Sequence, residues 1–232
     1  VSNSGLQWFL LKTNGNCSAL KNELKDSETV ISFKNPDVLS KLLVRTDQEL
    51  GGFSTAEVEV DEDRKIGIFH GNLNLDTPPN RPDIVYSGYA MFRTKDIPRG
   101  LFGGYNFWDW DHYHHVVLRV RGDHRKYIVN IQSRTPFLTD LHQHRLFLND
   151  PGNWETVVIP IDDFVLTNRG VIQHQALMDR TAVKSIGIGI LDNQYGPFKL
   201  EIDYIKVMVG DDIAKEMRRK REQEQVQENE VD

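Results

Sequence analysis

The ten residues from Asn106 to His115, NFWDWDHYHH, crowd together side chains that bind metals, move protons and stack on rings. Zinc is the first chemistry to weigh. Six of the eight histidines fall between His112 and His144, including two His-x-His pairs, His112/His114 and His142/His144. On a strand, residues i and i+2 share a face, so each pair could offer two imidazoles to one ion. A catalytic zinc also needs a third protein ligand and an open position, and no residue supplies that ligand at convincing spacing. Unbroken alternation would align His112 and His114 with the apolar Val116, Leu118 and Val120, so a loop or bulge before that strand is expected. Such spacings often match by chance, and no metal ligand is assigned.

Asp109 and Asp111 raise a second chemistry, a carboxylate pair flanking a glycosidic bond. They stand in a turn-rich approach to a strand, where aspartate commonly satisfies backbone groups, and no partner base or nucleophile accompanies them. No catalytic residue is therefore assigned, no cofactor is expected, and the chain is expected not to be an enzyme. The third chemistry is stacking. Trp108 and Trp110 suit a sugar platform, but they equally suit the rim of a sandwich, and Trp is well buried on average.

The elements that must position these residues are short and β-rich. Strands are predicted at 56–60, 66–70, 85–92, 116–121, 127–132, 154–159, 185–191 and 198–207. Their period-2 alternation is that of sheets with one buried face. Val116, Leu118 and Val120 point one way and Arg119 and Arg121 the other. Ile186, Ile188 and Ile190 share a face, and Phe198, Leu200 and Ile202 face inward with Lys199, Glu201 and Asp203 outward. Turn clusters punctuate the strands, and crossover helices are missing, which predicts an all-β antiparallel sandwich or jelly roll.

Three further motifs have structural explanations. Arg121-Gly122-Asp123 spells an adhesion tripeptide but reads first as a hairpin turn. Gly51-Gly52-Phe53-Ser54 lacks the Gly-Lys-Ser/Thr ending of a phosphate loop and reads as a tight turn. Arg218 to Arg221 lies among acidic helix formers and reads as a charged helix face.

Composition bounds the rest. A net charge of −6, from 28 Lys and Arg against 34 Asp and Glu, argues against a nucleic-acid partner. No apolar run approaches the roughly 20 residues that span a bilayer. Cys17 is the single cysteine, which excludes an intrachain disulfide and fits a reducing compartment such as cytosol or mitochondrial matrix. A start at Val1 is expected from a removed leader or a trimmed chain. The chain divides into an N-terminal extension at 1–32, a jelly-roll domain at 33–209, and a charged tail at 210–232 composed of helix formers. Leu6, Trp8, Phe9, Leu10 and Leu11 form an apolar stretch too short to span a membrane but able to lie in its interface or to pack on the sandwich.

Several segments together carry a resemblance. They include Leu43 to Thr55 (LVRTDQELGGFST), Ser87 to Phe92 (SGYAMF), Pro98 to Asp109 (PRGLFGGYNFWD) and Leu118 to Asp123 (LRVRGD). Thr139 to Phe147 (TDLHQHRLF), Asp163 to Gly170 (DFVLTNRG) and Ser185 to Ile190 (SIGIGI) continue the pattern in order. In these the chain resembles the mitochondrial complex I intermediate-associated protein family of about 30 kDa, roughly from Phe33 to Val209. The resemblance implies a galactose-binding-like jelly roll akin to carbohydrate-binding modules. It also implies a non-enzymatic assembly factor in the mitochondrial matrix, peripheral to the inner membrane, acting on a membrane-arm intermediate of complex I with other assembly factors.

The residues themselves place a partner surface on two segments. Arg93 to Trp110 is long for a connection in a compact domain, and it carries Arg99, Leu101, Phe102, Tyr105, Phe107, Trp108 and Trp110. Ser133 to His144 is a second turn-rich link, with Arg134 and Phe137. Aromatics and arginine are enriched in interface hot spots, so these loops are expected to form one partner-binding edge. A docking platform of this kind predicts aromatic loops ordered only against a partner. The alternative, a carbohydrate- or small-ligand-binding module, predicts exposed Trp faces with polar neighbours.

Overall fold

The computed structural model describes residues 25–79, 81, 84, 87–100 and 104–210. Among the described residues thirteen strands follow one another: β1 (Ser27–Ser32), β2 (Leu42–Thr46), β3 (Thr55–Asp61), β4 (Ile66–Leu73), β5 (Ala90–Thr94), β6 (His115–Gly122) and β7 (Tyr127–Ser133), then β8 (Asp140–Leu146), β9 (Glu155–Pro160), β10 (Val165–Asn168), β11 (Val171–Ile172), β12 (Val183–Ile190) and β13 (Gly196–Met208). One sheet has the order β3-β4-β13-β6-β9, with β1 also on β13; the other has the order β11-β10-β8-β7-β12-β5-β2. Every pairing is antiparallel, giving the sandwich that the alternation predicts.

The inner faces build one core. Val116, Leu118 and Val120 of β6 meet Val129 and Ile131 of β7, Ile186, Ile188 and Ile190 of β12, and Phe198, Leu200 and Ile202 of β13. Full burial of each such side chain stabilises by about 1.5–3 kcal/mol. Across the layers, Phe69 packs edge-on against Phe92 with ring centroids 5.0 Å apart and tilts against Phe198 at 5.0 Å. The register of β13 shifts between Ile202 and Tyr204. That bulge steps the inward phase by one residue, so Ile205 and Val207 also face the core.

Several expectations are corrected. The boundary at residue 33 falls too late, because β1 pairs with β13 from Ser27↔Met208 onward and buries Ile31. The strand expected at 85–92 is β5 at Ala90–Thr94. Ser87 and Gly88 instead fold onto Asp47, whose carboxylate accepts from Ser87 Oγ at 2.8 Å and the Gly88 N–H at 2.6 Å. Ser54 adds its N–H at 2.9 Å and its hydroxyl at 2.8 Å, so this buried carboxylate is fully engaged. The same cluster explains the Gly51-Gly52 pair, a tight turn as expected. Gly51 adopts φ +95°, and a Cβ on Gly52 would lie 2.4 Å from Asp47 Cγ.

Gly122-Asp123 is not a hairpin turn, since β6 and β7 belong to different sheets and the chain there crosses between layers. Asp123 anchors the crossing by accepting from the Arg125 N–H, the Tyr127 hydroxyl and the Lys199 N–H. Arg125 then clamps Asp192 through Nε at 2.7 Å and a second nitrogen at 2.8 Å, and donates to the carbonyls of Gln194, Gly196 and Pro197. Burial pushes the Asp192 carboxyl up, but the guanidinium outweighs it and holds it below the usual carboxylate range. Glu201 is expected to face outward. It does sit on the outer face, yet it is only 4% exposed beneath Arg121, Arg64 and Lys199.

Candidate functional site

After β5 the chain runs outward and returns. The Gly100 N–H reaches the Gly104 carbonyl at 3.0 Å, closing a small loop, and Asn106 Nδ2 donates to the Pro98 carbonyl at 2.6 Å. Leu101 and Phe102 lie outside the described residues, as do the stretch from Leu6 to Leu11 and the tail from residue 211. From Trp108 the segment is fastened to the sandwich. Trp108 and Val183 exchange both backbone hydrogen bonds, at 2.9 and 3.0 Å, and the Trp110 N–H donates to the Arg180 carbonyl at 2.8 Å. These hydrogen bonds tie Trp108 and Trp110, the inner end of the segment, to the sandwich.

Pinning decides which rings are available. Trp110 is 0% exposed and belongs to the core, with its indole stacked on Trp108 at 6.1 Å and 20°. The assignment of Trp110 to a partner surface is corrected: it is a packing residue that nothing outside can touch. Trp108 is half-buried behind it. Further out, the Arg99 guanidinium lies 4.4 Å over the Tyr105 ring and donates to its hydroxyl at 2.8 Å. Tyr105 stacks on Phe107 at 6.3 Å and 25°. Arg134 covers Phe107 at 5.8 Å and pairs with Asp179 at 2.9 Å.

The structure therefore brings Arg99, Tyr105, Phe107 and Arg134 into one row, joining the two segments singled out in sequence. Tyr105 is 67% exposed, and beyond Arg134 stand Phe137 at 65% and Leu138 at 79%. Exposed guanidinium–ring contacts are worth about 0.5–1 kcal/mol each, enough to bias side chains already held by their backbone. The turn bearing Phe137 is held by the Asp140 N–H on its carbonyl and by Gln132 Nε2 on the Leu138 carbonyl. The second segment is shorter than expected, because β8 begins at Asp140 and takes in His142 and His144. Asp179 is the element the sequence did not announce. Its carboxyl is held below the ordinary range by the Thr181 hydroxyl and then by Arg134.

The histidines separate. His142 is buried on the inner face of β8, where burial pushes its imidazole down, and His144 packs between Phe147 and Phe164. Among the described residues, neither His-x-His pair belongs to a group of three close ligand side chains. Asp109 Oδ1 accepts the Asp111 N–H at 3.1 Å, the backbone service expected of a turn aspartate. On the opposite sheet, Trp154 lies under the guanidinium of Arg121 at 5.3 Å and that of Arg119 at 5.9 Å.

The sequence matches the family model of Complex I intermediate-associated protein 30 over residues 31–202. The protein named complex I intermediate-associated protein 30, mitochondrial, of Neurospora crassa is 37% identical over 195 residues, which cover 74% of this chain and 70% of that protein. Its Drosophila melanogaster namesake is 34% identical, covering 78% of this chain and 62% of its own. That of Mus musculus is 31% identical, covering 79% and 57%. The chain thus spans between 57% and 70% of the length of these relatives. Among solved structures it is similar to the family 11 carbohydrate-binding module of a Clostridium thermocellum cellulosomal cellulase, with TM-score 0.53 and 12% identity over 79% of this chain and 95% of that one. At that identity the likeness establishes the β-sandwich alone.

Proposed function

The chain belongs to the Complex I intermediate-associated protein 30 family, and from that footing we propose that it is a non-enzymatic assembly factor for mitochondrial respiratory complex I. It works as a docking platform on the matrix side, peripheral to the inner membrane, binding a membrane-arm assembly intermediate and other assembly factors. The apolar residues Leu6, Trp8, Phe9, Leu10 and Leu11 supply the membrane contact in this account, on sequence grounds alone.

One observation carries the docking part: Arg99, Tyr105, Phe107 and Arg134 form one row of ring and guanidinium contacts in which Tyr105 and Arg134 are exposed, with the exposed Phe137 and Leu138 next along the chain from Arg134. Such a row offers a partner apolar area, ring faces and guanidinium edges. Covering an unfinished hydrophobic surface until its proper subunit arrives is the physical service this surface can perform. Carbohydrate binding ranks below it. Of the tryptophans among the described residues, Trp110 is enclosed, Trp108 is half-buried and stacked on it, and Trp154 is half-buried under arginine, so none is a fully exposed ring.

The test is recovery of complex I assembly intermediates from mitochondria by the wild-type chain and by Arg99→Ala, Trp108→Ala and Phe137→Asp variants. A loss of recovery by folded variants is expected. Wild-type recovery by all three would end the docking proposal while leaving family membership untouched.

A further inference from the structure

We infer that Glu57, Glu59 and His70 form a binding site for a borderline divalent metal ion, with zinc the ion that best fits the donors. These residues lie on the sheet opposite the aromatic row, so the site is independent of the docking proposal. β3 and β4 pair without interruption from Thr55↔Asn72 to Asp61↔Ile66, and Glu57 stands directly across from His70. Glu59, two residues along β3, shares that face. One ligand atom from each of the three residues lies within 4.8 Å of the others. The rigid ladder fixes three Cα positions, and only exposed side chains need to adjust.

Only a long ion pair between His70 and Glu59 engages these donors. His70 Nε2 lies 3.5 Å from Glu59 Oε1, beyond a good hydrogen bond, and this solvent-shielded nitrogen finds no hydrogen-bond partner among the described residues. Two carboxylates therefore face one imidazole. The cations nearby are engaged elsewhere. Lys199, opposite His70 on β13, reaches Glu201 at 3.0 Å, and Arg64 holds Asp61 at 2.7 Å and Glu201 at 3.4 Å. A divalent ion would neutralise the pair and take up the orphan nitrogen together.

The donor set selects the ion. One imidazole with two carboxylates suits zinc or a neighbouring transition metal, whereas calcium and magnesium prefer oxygen alone. Metal–ligand bonds of about 2.0–2.2 Å require the donors to close by roughly an ångström from their present spacing. Rotation of the two exposed glutamates achieves that. Three protein ligands leave room for water to complete the shell. The histidines that sequence spacing singles out play no part. This site appears only when register places residues of β3 and β4 side by side.

The experiment is zinc titration of the full chain by calorimetry, with metal content after dialysis. One ion per chain is expected, removable by chelator and raising the melting temperature of the loaded protein. Affinity should fall about tenfold or more in His70→Ala and in the double variant Glu57→Gln/Glu59→Gln. It should be unchanged in His112→Ala/His114→Ala. The double variant changes only exposed side chains and keeps the test valid if His70→Ala folds poorly. No saturable zinc binding by the wild-type chain, or wild-type affinity retained in the double variant, would overturn the site.

Discussion

Asp47 and Gly88, 41 residues apart in sequence, are joined by a 2.6 Å hydrogen bond from the Gly88 N–H to the Asp47 carboxylate. Through it the turn after β2 is locked to the approach of β5, and Ser54 and Ser87 complete the shell. Asp47→Ala leaves those buried donors without an acceptor, so we expect a loss of about 3 kcal/mol or more in urea unfolding. Gly52→Ala should be harmful for a different reason, since its methyl would overlap the Asp47 carboxylate and the Ser87 hydroxyl.

Arg125 and Asp192 make the second prediction. With Asp192 fully enclosed, Arg125→Ala strands a buried carboxylate and should cost about 3–5 kcal/mol in denaturant midpoint experiments. The pH dependence has a definite sign. The Asp192 carboxyl is depressed when folded, so its contribution is present above the unfolded value near 3.8 and is lost as pH falls through the lower folded value. The wild-type chain should therefore hold this contribution down to pH 4, and Arg125→Ala should lose stability at a higher pH.

His142 gives a second acid-sensitive group. Burial favours its neutral form, lowering the folded pKa from the ordinary imidazole value of 6.5. The unfolded chain then takes up a proton first, so stability declines as pH falls below 6.5 towards the folded value. A His142→Leu variant should show a flatter stability profile between pH 7.5 and 5.5, measured by urea midpoints at each pH. An unchanged slope would remove His142 from the account.

Core and rim should separate cleanly among the aromatic residues. Trp110→Ala should cost about 3–5 kcal/mol because it empties a packed site. Phe137→Asp, at an exposed position, should stay within about 0.5 kcal/mol of wild type. The docking proposal expects the reverse order for partner recovery at matched folded fractions. Thermal unfolding beside pull-down of assembly intermediates checks both.

The strands that sequence announced, β3, β4, β6, β7, β9, β12 and β13, are those with runs of β-branched or aromatic residues. β8 stayed hidden because Asp140, His142 and His144 occupy its inward positions, so its alternation carries no hydrophobic signal. β10 and β11 are too short to show a period, and β1 lies at the edge of a polar segment. At the site, composition announced arginines and rings but not their fates. Whether Trp110 is core or rim depends on the pairing of Trp108 with Val183, 75 residues further on, and alternation along a loop cannot convey that. The position of β1 also decides where the N-terminal stretch can be cut. A cut at residue 30 would strip strand residues from the sheet, whereas one at 24 spares them.

The paired hydrogen bonds between Trp108 and Val183 make the inner half of the aromatic loop an added rung beside β12. A rung cannot swing like a hinged lid without breaking two backbone bonds. A protein meeting this inner end would find its backbone already placed, and association there should proceed in a single kinetic phase with no slow isomerisation after encounter. Selectivity then has to come from the outline of the rim itself, so a mismatched subunit would be refused by fit and not accommodated by rearrangement.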